Sequence, residues 1–126
     1  MENLMKLHEY DEPKTIEEAI TILDDYFNYS WPKEKDYFNN STSSDIVYEY
    51  HHGFGQKIRN AWLWPKNPNI YSEIYKLLFD LGIEHPDNMS SFLLRVFWYY
   101  KHEPEKSIEQ HKQRLLNEMI IKNIIE

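Results

Sequence analysis

The chain has 126 residues, 41% hydrophobic and 16% aromatic, with a net charge of −7 and no cysteine. That size fits one domain with one core, the apolar content argues against disorder over most of it, and the absence of thiols excludes disulfides, thiolate zinc sites and cysteine nucleophiles. Residues 1–50 hold twelve acids and four bases, a net of −8, while residues 51–126 come to +1 with no Lys/Arg cluster, which counts against nucleic acid as a partner.

Three glycines leave little material for hairpins, so the chain reads as helical. Residues 1–14 are expected as an arm. Thr15 and Glu18 have capping-box spacing, in which hydroxyl and carboxylate satisfy orphan amides of a first helical turn. Behind them Ile16, Ala19, Ile20, Leu23, Tyr26 and Phe27 follow a 3.6-residue stripe to about Asn28. Trp31-Pro32 ends that helix, since the residue before proline is pushed out of the α region. A short polar helix is expected around Lys33–Asn39, then a loop over 39–44 where Asn, Ser and Thr cluster. Residues 45–52 have strand-like residues, yet Ile46, Val47 and Tyr50 share a helical face, and a short helix is the favoured reading.

From Gly53 onward, Phe54, Ile58, Ala61 and Trp62 fall at helical spacing up to Pro65. Ile70, Ile74, Leu77, Leu78 and Leu81 form the next stripe, stopped by Gly82, which can take the left-handed cap conformation. Met89, Phe92, Leu93, Val96, Phe97 and Tyr100 line one face of the following helix, while Leu94, Trp98 and Tyr99 fill much of the rest. A helix apolar nearly all round is a core helix, here too short to cross a membrane. Pro104 is expected to open a final helix with Ile108, His111, Leu115 and Met119 inward and an apolar IIKNIIE end able to dock. The predicted fold is all-α, a compact single-domain bundle of five to seven helices over residues 1–126.

Chemistry-bearing residues concentrate in two segments, His51–Trp64 and Gly82–Ser91. Gly53 and Gly55 with Arg59 one turn on could hold an anion on helix amides; no dinucleotide or P-loop pattern is present, and close packing or a sharp turn explains the same glycines. His51, His52 and His85 with Asp87 are the residues to weigh as metal ligands. Adjacent histidines diverge on a helix and no metal-ligand spacing occurs, so neither metal nor cofactor is expected. Arg59 and Asn60 stand in an otherwise apolar helix. A partly buried Arg59 needs a carboxylate, and Asp87 is the candidate; the alternative is a grip on a ligand carboxylate or phosphate. Asp87 after Pro86 also suits a helix start, capping the first amides. The near-adjacency of His85 and Asp87 argues against a catalytic base and its orienter. Trp62, Leu63 and Trp64 cannot share one buried face; packing against the following helix is the favoured reading, and a tryptophan left exposed beside Arg59 would instead resemble an interface hot spot. Trp98 is expected in the core.

The run His51-x-Gly53-x-Gly55-x-x-Ile58-Arg59-Asn60-x-Trp62-Leu63-Trp64, followed by Gly82-Ile83-x-His85-Pro86-Asp87-Asn88-Met89-Ser90, resembles an uncharacterised bacterial domain family. That family carries H-x-G-x-G-x-x-I-R-N-x-W-G-L-W and then G-I-x-H-P-D-D-M-S, and the resemblance spans roughly residues 15–100. The glycine after Trp62 is missing here, which shortens the path to Pro65. Asn88 replaces the second aspartate, which removes support from a metal or acid–base role. The resemblance implies a compact helical domain and no particular activity.

No catalytic constellation emerges, so an enzyme is the less favoured reading. A small acidic domain with an exposed aromatic–arginine patch suits a basic protein partner; a solvated acidic face that only aids solubility explains the charge equally well. The sharpest form of that expectation is an immunity-type inhibitor that occludes a basic toxin or nuclease. The alternatives are a small-ligand or enzymatic domain using His51, Arg59, His85 and Asp87, and a structural or assembly subunit. The candidate binding residues are His51, Arg59, Asn60, Trp62, Trp64, His85 and Asp87. With no signal-like N-terminus and no apolar stretch near a membrane span, neither membrane nor nucleic acid is expected as a partner, and a cytoplasmic location is the simplest expectation. None of these features encodes an oligomeric state.

Overall fold

Seven helices, a 3₁₀ turn and a π-helical turn form the all-α fold in the computed structural model, which describes residues 6–30, 35–67 and 70–125. The order is the 3₁₀ turn (Leu7–Glu9), α1 (Ile16–Ser30), α2 (Lys35–Asn40), α3 (Ser43–Tyr50), α4 (Phe54–Ile58) running into the π turn (Arg59–Leu63), α5 (Glu73–Asp80), α6 (Pro86–His102) and α7 (Ile108–Ile125). Among the described residues there is no strand, and an isolated bridge joins Asn67 to Ile70.

Side-chain caps set the helix starts. Thr15 Oγ1 accepts the Glu18 amide at 3.0 Å, but the Glu18 carboxylate takes the Lys14 amide at 2.9 Å rather than that of Thr15, so the expected box is displaced by one residue. Thr42 and Asp45 form a full box at α3. The helix read over 45–52 is present as Ser43–Tyr50, with His51 and His52 in the turn that follows, and the loop expected over 39–44 is reduced to Ser41 and Thr42. The expected helix at Lys33–Asn39 appears as α2, where the fully buried Phe38 makes it more than a polar segment; residues 31–34, with the Trp31-Pro32 break, lie outside the described residues. Ser107 and Gln110 cap each other's amides, so α7 starts at Ile108 and not at Pro104.

The core is aromatic at its centre. Phe27 of α1, Phe38 of α2, Phe54 of α4 and Phe97 of α6 are all buried, with ring centroids 4.9–6.2 Å apart in edge-on, tilted and stacked pairs. Burial of such a ring stabilises by about 2–3 kcal/mol, and each well-oriented pair adds roughly 1 kcal/mol. Helix α6 is the hub. It packs on α1, α3, α4, the π turn, α5 and α7, which is why its apolar residues are buried around most of its circumference. All six stripe residues of α1 are buried, and Trp98 is partly buried against the core.

Residues 7–10 and the first half of α7 dock by specific contacts; the side chains of the IIKNIIE end, expected to dock, lie outside the described residues. Of the expected arm, residues 1–5 lie outside the described set; Leu7 is buried, and the Tyr10 hydroxyl donates to Asp25 of α1. Burial and that hydrogen bond push the Tyr10 phenol up to about 12. On α7, His111 and Leu115 are buried, His111 stacks on Tyr99, and the Arg114 guanidinium lies 4.2 Å from the centre of the Tyr99 ring. Arg114 also grips both carboxylate oxygens of Glu103 at 3.1 and 3.3 Å. Hydrogen bonds from Arg114 and Lys106 hold the Glu103 carboxyl below its usual range.

Helix α5 ends in a Schellman arrangement. Gly82 has φ of +97°, its amide donates to Phe79 O at 2.9 Å, and the Ile83 amide donates to Leu78 O at 3.0 Å. Nothing crowds a side chain there, so only backbone strain opposes one. Gly82→Ala is expected to lower stability by about 1–2 kcal/mol in urea denaturation, with no change in helical content by circular dichroism.

Candidate functional site

A guanidinium has five N–H donors and stays charged, so a buried arginine must be met by acceptors on several sides. Arg59 is 2% exposed, on the π turn beneath α6. Its Nη1 donates to Ser90 Oγ at 2.9 Å, and its Nη2 donates to His51 O at 2.8 Å and to Gln56 Oε1 at 3.0 Å. Nε faces Asp87 Oδ1 at 3.4 Å. Ser90 Oγ in turn donates to Asp87 O at 3.0 Å, so the start of α6 is locked to the same network. The two chemistry-rich segments are thereby tied by one side chain.

Gly55 leaves room for this network. A Cβ there would stand 3.1 Å from Arg59 Nη1 and 3.1 Å from Tyr50 O. Both contacts are tighter than an ordinary Cβ contact and the second neighbour is backbone, so a side chain here would have to displace its surroundings by a few tenths of an ångström. The π turn is closed by the Trp64 amide on Arg59 O at 3.0 Å, five residues back. Ser72 then links it to α5: its hydroxyl donates to Trp62 O at 2.6 Å and accepts the Tyr75 amide at 3.1 Å.

Beside the buried arginine lie three exposed side chains. His85, rather than the expected Asp87, caps α6, its Nδ1 accepting the Asp87 amide at 3.1 Å. The aspartate is thereby left to face Arg59. Trp64 is 43% exposed and meets the His85 ring edge-on at 6.4 Å. Asp87 Oδ2 is 3.8 Å from His85 Nδ1, beyond hydrogen-bond reach, so the pair does not form a base and its orienter. Among the described residues no group of three or more His, Cys, Asp or Glu is placed to hold a metal ion.

The other sequence candidates go elsewhere. Trp62 is buried at 2%, an interior residue and not a contact surface. His51 brings its carbonyl to Arg59, while its ring packs edge-on against His52 beside Val47 and Tyr48. Asn60 is exposed and lines a separate cleft. Sequence reading missed Ser90, Gln56 and Ser72. Gln56 stood three residues before Arg59 and Ser90 broke an apolar helix, which were the available signals.

It also missed an aromatic surface. Tyr71, Tyr75 and Phe79, four residues apart, stack in series with centroids 4.2 and 6.0 Å apart. Burial, with Tyr71 and the charge of Glu84, raises the Tyr75 phenol above its ordinary value. Ile70, expected on the buried stripe of α5, precedes that helix and is 60% exposed. Together with Trp64 and Tyr71 it borders a shallow pocket of about 140 Å³ that Glu12 and Lys66 also line. Trp64 and the stacked rings thus meet at Tyr71, which lines both this pocket and the next one along α5.

The family model described as Domain of unknown function (DUF6794) matches residues 12–101. The chain belongs to this family. The family region holds Gly55, Arg59, Ser90 and the whole aromatic surface, and it stops ahead of α7. No curated protein and no solved structure matches the chain.

Removing Arg59 takes away the donor to the buried Ser90 Oγ, which keeps its own bond to Asp87 O, and the donor to the His51 carbonyl, whereas Asp87 is half exposed and can be hydrated. Arg59→Ala is therefore expected to destabilise by about 2–4 kcal/mol and Asp87→Asn by less than about 1 kcal/mol. Thermal and urea denaturation of the two variants checks this ranking.

Proposed function

We propose that this domain is a protein-binding module whose partner is basic. The observation that carries the reading is the exposed surface of Trp64, Ile70, Tyr71 and Phe79, with the partly buried Tyr75 stacked between Tyr71 and Phe79. Large aromatic side chains on rigid elements are the usual anchors of protein interfaces, and exposed contiguous apolar surface of this kind marks binding sites. The rings are held by helix α5 and by the π turn anchored through Arg59, so little conformational freedom would be lost on docking.

The acids around this surface set the partner's sign. Glu12 borders the pocket with Trp64, Asp80 borders the next one with Phe79, and the charge of Glu84 reaches Tyr75. Lys66 is paired with Glu12 at 3.5 Å and Lys76 lies beside Asp80, so the surface is mixed at close range and acidic on balance. With the net charge of −7 behind it, a cationic partner is steered in and a copy of the same chain is repelled. The sharpest form of this function is an immunity-type inhibitor of a bacterial toxin: it would occlude a basic catalytic face by filling it with Trp64 and Phe79 and pairing its Lys and Arg residues with the acids. The missing His85–Asp87 hydrogen bond weighs against an enzymatic role for that pair.

A tagged chain is expected to retain a basic protein from lysate of the source cell at near-equimolar yield. Trp64→Ala and Phe79→Ala are expected to weaken that complex by about 2 kcal/mol each, or roughly thirtyfold. Tyr48→Ala, which removes an exposed ring on α3, should retain the partner as wild type does. Equal retention in all three variants, or no stoichiometric partner, contradicts the reading.

A further inference from the structure

A second concave site lies where the 3₁₀ turn meets α1, α4 and the π turn. The cleft measures about 290 Å³. Its lining includes three buried residues, Leu7, Tyr26 and Ala61, and four exposed ones, Lys6, His8, Lys57 and Asn60. Among the described residues no carboxylate lines it. In a chain of net charge −7, this is a local reversal of sign.

The exposed groups are donors. Among the described residues Lys6 and Lys57 are, like Lys14 and Lys76, without an ion-pair partner, whereas Lys66, Lys101, Lys106 and Lys112 are paired. Asn60 is oriented by a relay: Arg59 Nη2 donates to Gln56 Oε1 at 3.0 Å, and Gln56 Nε2 donates to Asn60 Oδ1 at 3.0 Å. With its oxygen engaged, the Asn60 amide has its NH₂ left to donate. His8 adds an imidazole. Glu9, the acid nearest in sequence, is turned to the backbone, its carboxylate taking the Lys6 amide at 2.6 Å. Cationic and N–H donors without a facing acceptor are matched by an oxyanion, and buried apolar lining below them suits an organic body.

We propose that this cleft binds a small organic oxyanion, a phosphate- or carboxylate-bearing metabolite whose charged group meets Lys6, Lys57, His8 and Asn60 and whose body rests on Leu7, Tyr26 and Ala61. The cleft admits a small molecule, and the net charge of the chain repels a polyanion such as nucleic acid. The site shares no residue with the aromatic surface and stands independently of the protein-binding role.

The test is a ¹H–¹⁵N correlation titration of the full chain with pyrophosphate, with citrate and with acetate at constant ionic strength. Saturable shifts are expected at residues 6–10 and 57–61 for pyrophosphate or citrate, with acetate at least tenfold weaker. The tighter of these two multivalent anions tells a phosphate ligand from a carboxylate one. Lys57→Glu, at an exposed position, and Asn60→Asp, which replaces the donor by an acceptor, should each weaken binding tenfold or more while the melting temperature stays unchanged. The proposal is overturned by the absence of saturable binding of both pyrophosphate and citrate, by shifts spread over lysines outside the cleft, or by unaltered affinity in both variants.

Discussion

Arg59 cannot lose its charge, and burying it obliges the surrounding chain to present acceptors from three directions. That requirement explains features that look unrelated along the sequence. The chain turns after α3 so that the His51 carbonyl points at Nη2, Gly55 gives up its side chain to let the guanidinium pass, and Ser90 appears on a helix that is otherwise apolar at that depth. Asp87 contributes from the half-exposed side, where water can share its charge, so the neutral acceptors carry the burial.

The same side chain reaches both candidate binding surfaces. Its own turn ends at Trp64, whose neighbours Ile70 and Tyr71 begin the aromatic surface, and Ser72 fixes the distance between that turn and α5. Through Gln56 it orients Asn60 at the donor-rich cleft. The aromatic core beneath, centred on Phe27, Phe38, Phe54 and Phe97, supplies the bulk of the stability, while the arginine network sets how α4, the π turn and α6 are oriented over it.

Much of this was legible in the residues. The stripe of α1 follows helical period and is buried residue for residue, Gly82 occupies the left-handed cap, and the apolar circumference of α6 marks the hub. The pairing of Arg59 with Asp87 also followed from the cost of burying charge, whereas packing against the next helix, the favoured reading of the tryptophans, holds for Trp62 and not for the exposed Trp64. Other features depend on tertiary contacts that periodicity does not carry. Whether His85 or Asp87 caps α6 is decided by Arg59, which draws the aspartate away. The π turn arises because Ala61, Trp62 and Leu63 are packed among the 3₁₀ turn, α5 and α6, which no single buried face could satisfy. Ile70 fitted the α5 stripe by spacing, yet α5 starts only after the Ser72 cap, so it points outward. The stacking of Tyr71, Tyr75 and Phe79 is a matter of rotamers, and their spacing alone reads as one more helix face.

The claim that the Arg59 hydrogen-bond network holds the two segments together is tested most directly by a double-mutant cycle between Arg59→Met and Ser90→Ala, read by urea denaturation. A direct buried hydrogen bond to a charged donor predicts a coupling of about 1–3 kcal/mol. Additive losses, with coupling below about 0.3 kcal/mol, would contradict the account and leave the two segments joined by apolar packing alone.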